Sequence, residues 1–335
     1  MQLGITLPGQ TSLPVEQLAE VARLAERCGY HSLWLPEIWA GDAFTQLAYV
    51  AAVTERIKLG TAIVPVYTRS AALLAMSACS LDQLSRGRFI LGLGVSGRLV
   101  IENLHGVPFG KPLETTREVL QVVRRFLAGE RVSHSGPRLN LKHFTLATRP
   151  VQERLPIYLA AQGEKNIALA AEVADGWLGY LLPRGSIAEA VRTVHDTAQA
   201  AGRTTRLVTG SMILGCLGPR GAADAAMSRE LAAKALAFYL GGMGEYHYRA
   251  VHERAFRSEC EAVRAAWEAR DREGAVARIS DPMLDELALW GDPRAARRSL
   301  EVYAQTGLDL PLVFFPHGAT FEIICATIEA LAPTR

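Results

Sequence analysis

The sequence predicts an α/β protein, a closed (β/α)8 or TIM barrel with insertions, and three observations support this. Short apolar stretches alternate eight times with longer helical patterns, an arrangement that calls for a parallel sheet with covered faces. The stretch Ile57–Gly97 reads as strand, turn, helix, strand and glycine turn, a complete βαβ unit. At 335 residues the chain is long for one ordinary domain but usual for a barrel with insertions. No other repeat and no low-complexity linker divides it, so residues 1–335 are expected to form one domain with insertions near 98–150 and 219–290.

Along the chain, Leu3–Leu7 reads as the first strand, stopped by Pro8 and Gly9. Val15–Cys28 sets Val15, Leu18, Ala19, Ala22 and Ala25 on one helical face. Ser32–Leu35 is the second strand and Phe44–Thr54 the next helix. In the βαβ unit, Ile57–Val64 is a strand and Ala71–Leu84 a helix with Ser70 as N-cap and Gly87 past its end. Arg88–Leu93 then runs into Gly92, Gly94 and Gly97. A helix-free insertion is expected after Gly97, followed by a helix over Leu113–Leu127 and a hairpin over Glu130–Leu146. Ile157–Ala161, Gly176–Leu181 and Leu207–Leu217 continue the strands, separated by helices over Glu164–Val173 and Ile187–Ala201. The rhythm then breaks: Gly221–Leu240, Glu245–Arg270 and Asp281–Leu289 read as helices of an insertion, either a lid or an oligomer surface. Asp292-Pro293 opens a helix through Gln305, Leu310–Phe315 is the eighth strand, and Ala319–Leu331 closes the chain.

Composition narrows the function. With 49% apolar and 21% charged residues, a large core is expected and disorder is not. A net charge of +2 gives no case for nucleic acid or an acidic membrane as partner. Cys28, Cys79, Cys216, Cys260 and Cys325 are odd in number and form no CxxC pair, which fits reduced thiols in a cytoplasm. The N-terminus lacks a basic, long apolar leader, and no stretch is long enough to span a membrane. HxH, HExxH and GxSxG are all absent, so no metal site and no serine triad is expected.

A barrel's site lies at the C-terminal strand ends, here Pro8–Gln10, Glu37–Asp42, Ala62–Thr68, Gly94–Gly97, Ala161–Lys165, Tyr180–Leu182, Gly218 and Pro316–Gly318. AAQGEKN, Ala160–Asn166, is a strand end, a glycine and a helix start. Such a helix N-terminus offers N–H donors and partial positive charge to a phosphate, and Lys165 adds a point charge. Trp39, Tyr67 and Tyr180 at strand ends, with Tyr246 and Tyr248 in the insertion, are candidate substrate walls; Tyr246, His247 and Tyr248 read either as lid residues over the substrate or as a polar helix face. His317 is a candidate proton donor, and Trp177 reads as packing.

LGTAIVPVYTR followed by LDQLSRGRFILGLGVSG resembles the core signature of the luciferase-like monooxygenase superfamily. IYLAAQGEKNIALAAEVADGW and YLGGMGEYHYRAV extend the likeness to the branch using the deazaflavin coenzyme F420, which includes methylenetetrahydromethanopterin reductases. The resemblance covers nearly the whole chain. It implies a hydride-transferring oxidoreductase with coenzyme F420 as cofactor, acting on C=C, C=N or C=O groups of a small molecule, or in reverse. It also implies a cis peptide at Ala62-Ile63 behind the cofactor ring. Cofactor contacts are expected from Gly94, Val95, Ser96, Gly97, Gln162, Gly163, Glu164 and Lys165. Glu37 falls where the family has an acidic residue, and would hydrogen-bond the ring or the substrate. Ile38 stands where the family's sugar dehydrogenases have histidine, and Arg98 where they have glutamate, which argues against that substrate. A homodimer or larger homo-oligomer is expected. The alternatives are an FMN-dependent monooxygenase of the same fold and a non-catalytic flavin-binding protein.

Overall fold

The computed structural model describes residues 2–8 and 13–333. The strand stop at Gly9 and the strand-end position Gln10 lie outside the described residues. β1 (Gly4–Thr6), α1 (Val15–Arg27), β2 (Ser32–Leu35) and α2 (Ala43–Val53) open the chain. Next come β3 (Lys58–Thr61), β4 (Val64–Pro65), α3 (Ala71–Leu84) and β5 (Phe89–Gly94). α4 (Pro112–Leu127) precedes an antiparallel hairpin of β6 (Val132–Ser135) and β7 (Asn140–Phe144). The barrel resumes with β8 (Ile157–Ala160), α5 (Glu164–Val173), β9 (Gly176–Tyr180), α6 (Ile187–Ala200) and β10 (Val208–Cys216). Five helices form the long insertion: α7 (Ala225–Gly242), α8 (Glu245–His252), α9 (Arg257–Glu268), α10 (Arg272–Ala277) and α11 (Asp281–Leu287). β11 (Ala288–Trp290), α12 (Pro293–Gln305), β12 (Leu310–Phe314) and α13 (Phe321–Ala330) end it.

The strands pair in parallel in the order β12, β1, β2, β3, β5, β8, β9, β10, and β10 pairs back to β12. That circuit closes an eight-stranded barrel, the predicted (β/α)8 fold. Helix starts follow their sequence signals: Ser70 accepts the Leu73 N–H at 3.1 Å, and Asp292 that of Ala295 at 2.9 Å. Asp82, buried on α3, accepts the N–H groups of Val151 and Gln152 and so anchors the segment leading to β8. Glu118 on α4 likewise accepts the Arg138 and Leu139 N–H groups and holds the hairpin. At the opposite end of β9 from the cleft, Asp175 accepts from the Ile157 N–H and pairs with Arg124 and Arg154. Burial would raise its pKa, but Arg124 and the Ile157 N–H outweigh burial and hold it below the usual carboxylate value.

Four expectations are corrected. The strand over Ile57–Val64 is two pieces, β3 and β4, because the chain bulges at Ala62-Ile63 before rejoining β5. The segment after Gly97 is not helix-free: Val100–Leu104 forms a π-helical turn. Glu245–Arg270 breaks into α8 and α9 near Phe256, which lets both pack on each other and on α7 as a helical hairpin. Asp281–Leu289 ends as a helix at Leu287; Ala288–Trp290 instead pairs with Leu214–Cys216 at the far end of β10. That pairing is long-range, so no local pattern announces it.

The core falls into two groups. One fills the space between strands and outer helices, with Ile5, Leu33, Leu74 and Phe126 fully buried. The other joins inward-facing barrel residues such as Trp34, Ile90, Leu178 and Leu312 to Leu236, Val251, Val263 and Leu284 of the insertion. The insertion is therefore packed against the barrel as part of one core. Among the described residues no helix is long and apolar enough to cross a membrane.

Candidate active site

The C-terminal strand ends and the insertion line a cleft open at its mouth. On the barrel side the Ala62-Ile63 peptide is cis, as the resemblance implies. The Ile63 carbonyl accepts the Glu37 N–H at 3.1 Å, and the Ala62 N–H donates to Leu35 O at 2.9 Å. These bonds fix the bulge so that Ala62 and Ile63 face the cleft. Close approach from β5 requires glycine: a Cβ on Gly92 would lie 1.8 Å from Thr61 O, and one on Gly94 2.9 Å from Ile63. Gly94, Val95, Ser96 and Gly97 all line the cleft.

Glu37 also lines it. Its carboxylate accepts two hydrogen bonds from Arg69, one at 2.8 Å, and a third from the Ala43 N–H at 3.2 Å. Arg69 also pairs with Asp42 and lies over the Phe44 ring, 5.2 Å from its centroid. Burial alone would raise the Asp42 pKa, but its bonds from Thr45 and the charge of Arg69 hold it low. Arg69 went unnamed by the sequence reading, although it directly precedes the Ser70 cap. Its pairing makes Glu37 an anchored acceptor.

The turn after β8 contributes Gln162, whose Nε2 donates to Tyr180 O at 2.7 Å while its Oε1 is buried without a partner. Asn166 lines the cleft and donates to Gln162 O at 3.0 Å. Between them Gly163, at φ +77°, caps α5; Asn166 and Ile167 bond back to its carbonyl. By the geometry of a helix start, the Glu164 and Lys165 N–H groups have no intrahelical acceptor. Gly163, Glu164 and Lys165 are exposed beside the cleft, outside its lining.

The insertion side is aromatic. Tyr180 packs on Tyr239, His247 and Phe314 at 5.3, 4.8 and 5.0 Å between ring centroids. Burial, with Tyr239 hydrogen-bonded beside it, pushes the Tyr180 phenol well above its usual value. Burial pushes His247 down to about 4, leaving a neutral imidazole at ordinary pH. Its Nδ1 is buried without a partner, as is Thr6 Oγ1 on β1. Thus three lining residues, Thr6, Gln162 and His247, each present a buried polar atom with no protein partner.

The remaining sequence candidates divide sharply. Tyr246 lines the cleft, while Tyr248, two residues on, turns into the core under Arg264 and against His252. Tyr67 is buried away from the lining, its hydroxyl donating to Gly110 O at 2.9 Å and its ring on Phe109. Trp39 and His317 are exposed and lie outside the lining. Trp177 is packing: it is buried and donates to Ala161 O at 2.8 Å. Tyr239 carries no local signal of its own, and nothing in the spacing of Tyr246, His247 and Tyr248 marks one of the three over another.

Residues 1–310 match the family described as luciferase-like monooxygenase. A putative coenzyme F420-dependent oxidoreductase of Mycobacterium tuberculosis is 32% identical over 335 residues, covering 93% of this chain and 94% of that protein. A 5,10-methylenetetrahydromethanopterin reductase of Methanolobus tindarius is 36% identical over 196 residues, 58% of this chain and 59% of its own. Among solved structures, the coenzyme F420-dependent tetrahydromethanopterin reductase of Methanopyrus kandleri superposes with a TM-score of 0.84. That likeness, at 23% identity over 99% of this chain and 97% of the other, is one of fold. With a family match over most of its length and a near-full-length relative, the chain belongs to the luciferase-like monooxygenase family.

Proposed function

We propose that this protein is a coenzyme F420-dependent oxidoreductase that reduces, or in reverse oxidises, a small organic substrate at a C=O, C=N or C=C group. The observation that carries this reading is the unpartnered Gln162 Oε1 beside the open start of α5, on one side of a largely apolar cleft. A flat ring with a phosphate-bearing tail suits that combination. The near-full-length similarity to a protein named as F420-dependent favours deazaflavin over flavin as the ring.

Bound there, coenzyme F420 supplies or takes up a hydride as a two-electron carrier. The chain's residues do the rest. The α5 N-terminus and Gly163 would hold the phosphate through backbone N–H groups. Ala62 and Ile63 would lie against the ring, and Gln162 and Thr6 would satisfy ring or tail polar atoms. Glu37, held by Arg69, accepts a hydrogen bond at the edge of the cleft. The aromatic wall of Tyr180, Tyr239 and Phe314 excludes water from the substrate.

Separate fluorescence titrations with coenzyme F420 and FMN test the reading. Tight F420 binding with weak FMN binding and no FMN-dependent oxygen uptake is expected. Sustained oxygen uptake on reduced FMN would favour the monooxygenase alternative, and binding of neither would favour the non-catalytic one.

A further inference from the structure

α8 divides its side chains between two environments. Tyr248 and Val251 face the core of the insertion, whereas Tyr246 and His247 face the cleft. Gly244, at φ +81°, turns the chain immediately before α8. The His247 ring packs against two neighbouring rings, 4.8 Å from Tyr180 and 5.2 Å from Tyr239. Ring packing of this kind holds an imidazole's plane but satisfies neither nitrogen. Nδ1 is buried and has no partner, an unmet hydrogen-bonding demand that a ligand atom would relieve.

The surroundings define the ligand. Of the described residues lining the cleft, Glu37 alone carries a formal charge, and Arg69 already neutralises it. The titratable groups packed on His247 are the Tyr180 and Tyr239 phenols, and burial pushes that of Tyr180 well above its usual value. This end of the cleft offers no cation to a carboxylate or phosphate. It offers aromatic surface, tyrosine hydroxyls, the Met243 thioether and one imidazole nitrogen with no protein partner.

We propose that His247 is the substrate-positioning group of the cleft, hydrogen-bonding the oxygen or nitrogen on the reacting carbon of a neutral, largely apolar ketone, enone or imine. This deepens the F420 reading and rests on it. The imidazole anchors the heteroatom, and the surrounding rings fix the remainder of the substrate.

The test uses 15N-histidine-labelled protein, with and without coenzyme F420, and cyclohex-2-enone as probe, with cyclohexene as the analogue lacking oxygen. Two variants accompany it: His247→Phe keeps the ring packing, and His247→Gln keeps a donor and an acceptor. The enone, and not cyclohexene, is expected to shift one imidazole resonance that is missing from His247→Phe. Enone affinity should fall about five- to tenfold in His247→Phe, the worth of one net hydrogen bond, and recover in part in His247→Gln. F420 affinity should stay within about twofold of wild type, as expected for a group that does not contact the cofactor. Three results would overturn the proposal: no enone effect on the wild-type resonance, equal enone affinity in His247→Phe, or loss of F420 affinity instead. Failure of wild type to bind F420 would refute the cofactor reading separately. The wild-type resonance keeps the test decisive if a variant does not fold.

Discussion

The two walls of the cleft are built by different physics. The barrel wall is shaped by its backbone, with glycines at close approaches, a bulge held by main-chain hydrogen bonds and the open start of α5, beside side chains such as Glu37 and Gln162. The insertion wall presents side chains, with Tyr239, Met243, Tyr246 and His247 carried on helices. Backbone donors and glycines suit a cofactor whose shape is constant. Side chains on helices outside the barrel circuit can change without disturbing the sheet, which suits a substrate that differs between relatives. We assign cofactor binding to the first wall and substrate choice to the second.

Substitutions that challenge this division differ widely in expected effect. Gly92→Ala is the most severe, because its Cβ would meet Thr61 O at 1.8 Å and neither strand can yield alone. We expect a loss of about 3 kcal/mol or more, read by chemical denaturation. A stable Gly92→Ala variant would show that the barrel wall tolerates side chains.

Tyr248→Ala comes next. The ring is nearly buried beneath Arg264, so truncation should cost about 3 kcal/mol of stability with cofactor affinity retained in the folded fraction. Its neighbour Tyr246 is 41% exposed at the cleft, and Tyr246→Ala should leave the melting temperature nearly unchanged while raising KM. The reverse pattern would remove the distinction between the two faces of α8. The smallest effect belongs to His317→Ala: an exposed side chain outside the cleft lining should change stability by less than about 0.5 kcal/mol and leave kcat/KM unaltered. A large fall in turnover would return His317 to the chemistry.

The same contrast explains what the sequence made legible. The barrel was readable because each strand and helix carries a local signal, as at Ser70, Gly87 and Asp292-Pro293. The barrel side of the cleft was readable through resemblance, since Ala62-Ile63 and Gly94–Gly97 occupy fixed places at strand ends. The insertion was not. β11 forms only by pairing with β10, and the direction of Tyr246, His247 and Tyr248 depends on how α8 lies against α9 and the barrel. Three consecutive polar aromatic residues offer no local clue to which one faces inward. Arg69 was missed for a similar reason, because its partners Glu37 and Asp42 are about thirty residues away and meet it only in the closed barrel.

The division of labour is tested most directly by the coenzyme F420 dissociation constant of wild type, Gly163→Val and Tyr246→Ala, measured side by side by fluorescence. Gly163 sits at φ +77° with no neighbouring atom within 4 Å of a Cβ, so valine strains the start of α5 and puts bulk at the open helix start. F420 affinity should fall about ten- to a hundredfold in Gly163→Val, the loss of one or two charge-assisted hydrogen bonds, and remain at the wild-type value in Tyr246→Ala. Unchanged affinity in a folded Gly163→Val protein, or an equal fall in both variants, would contradict the assignment of the cofactor to the barrel wall.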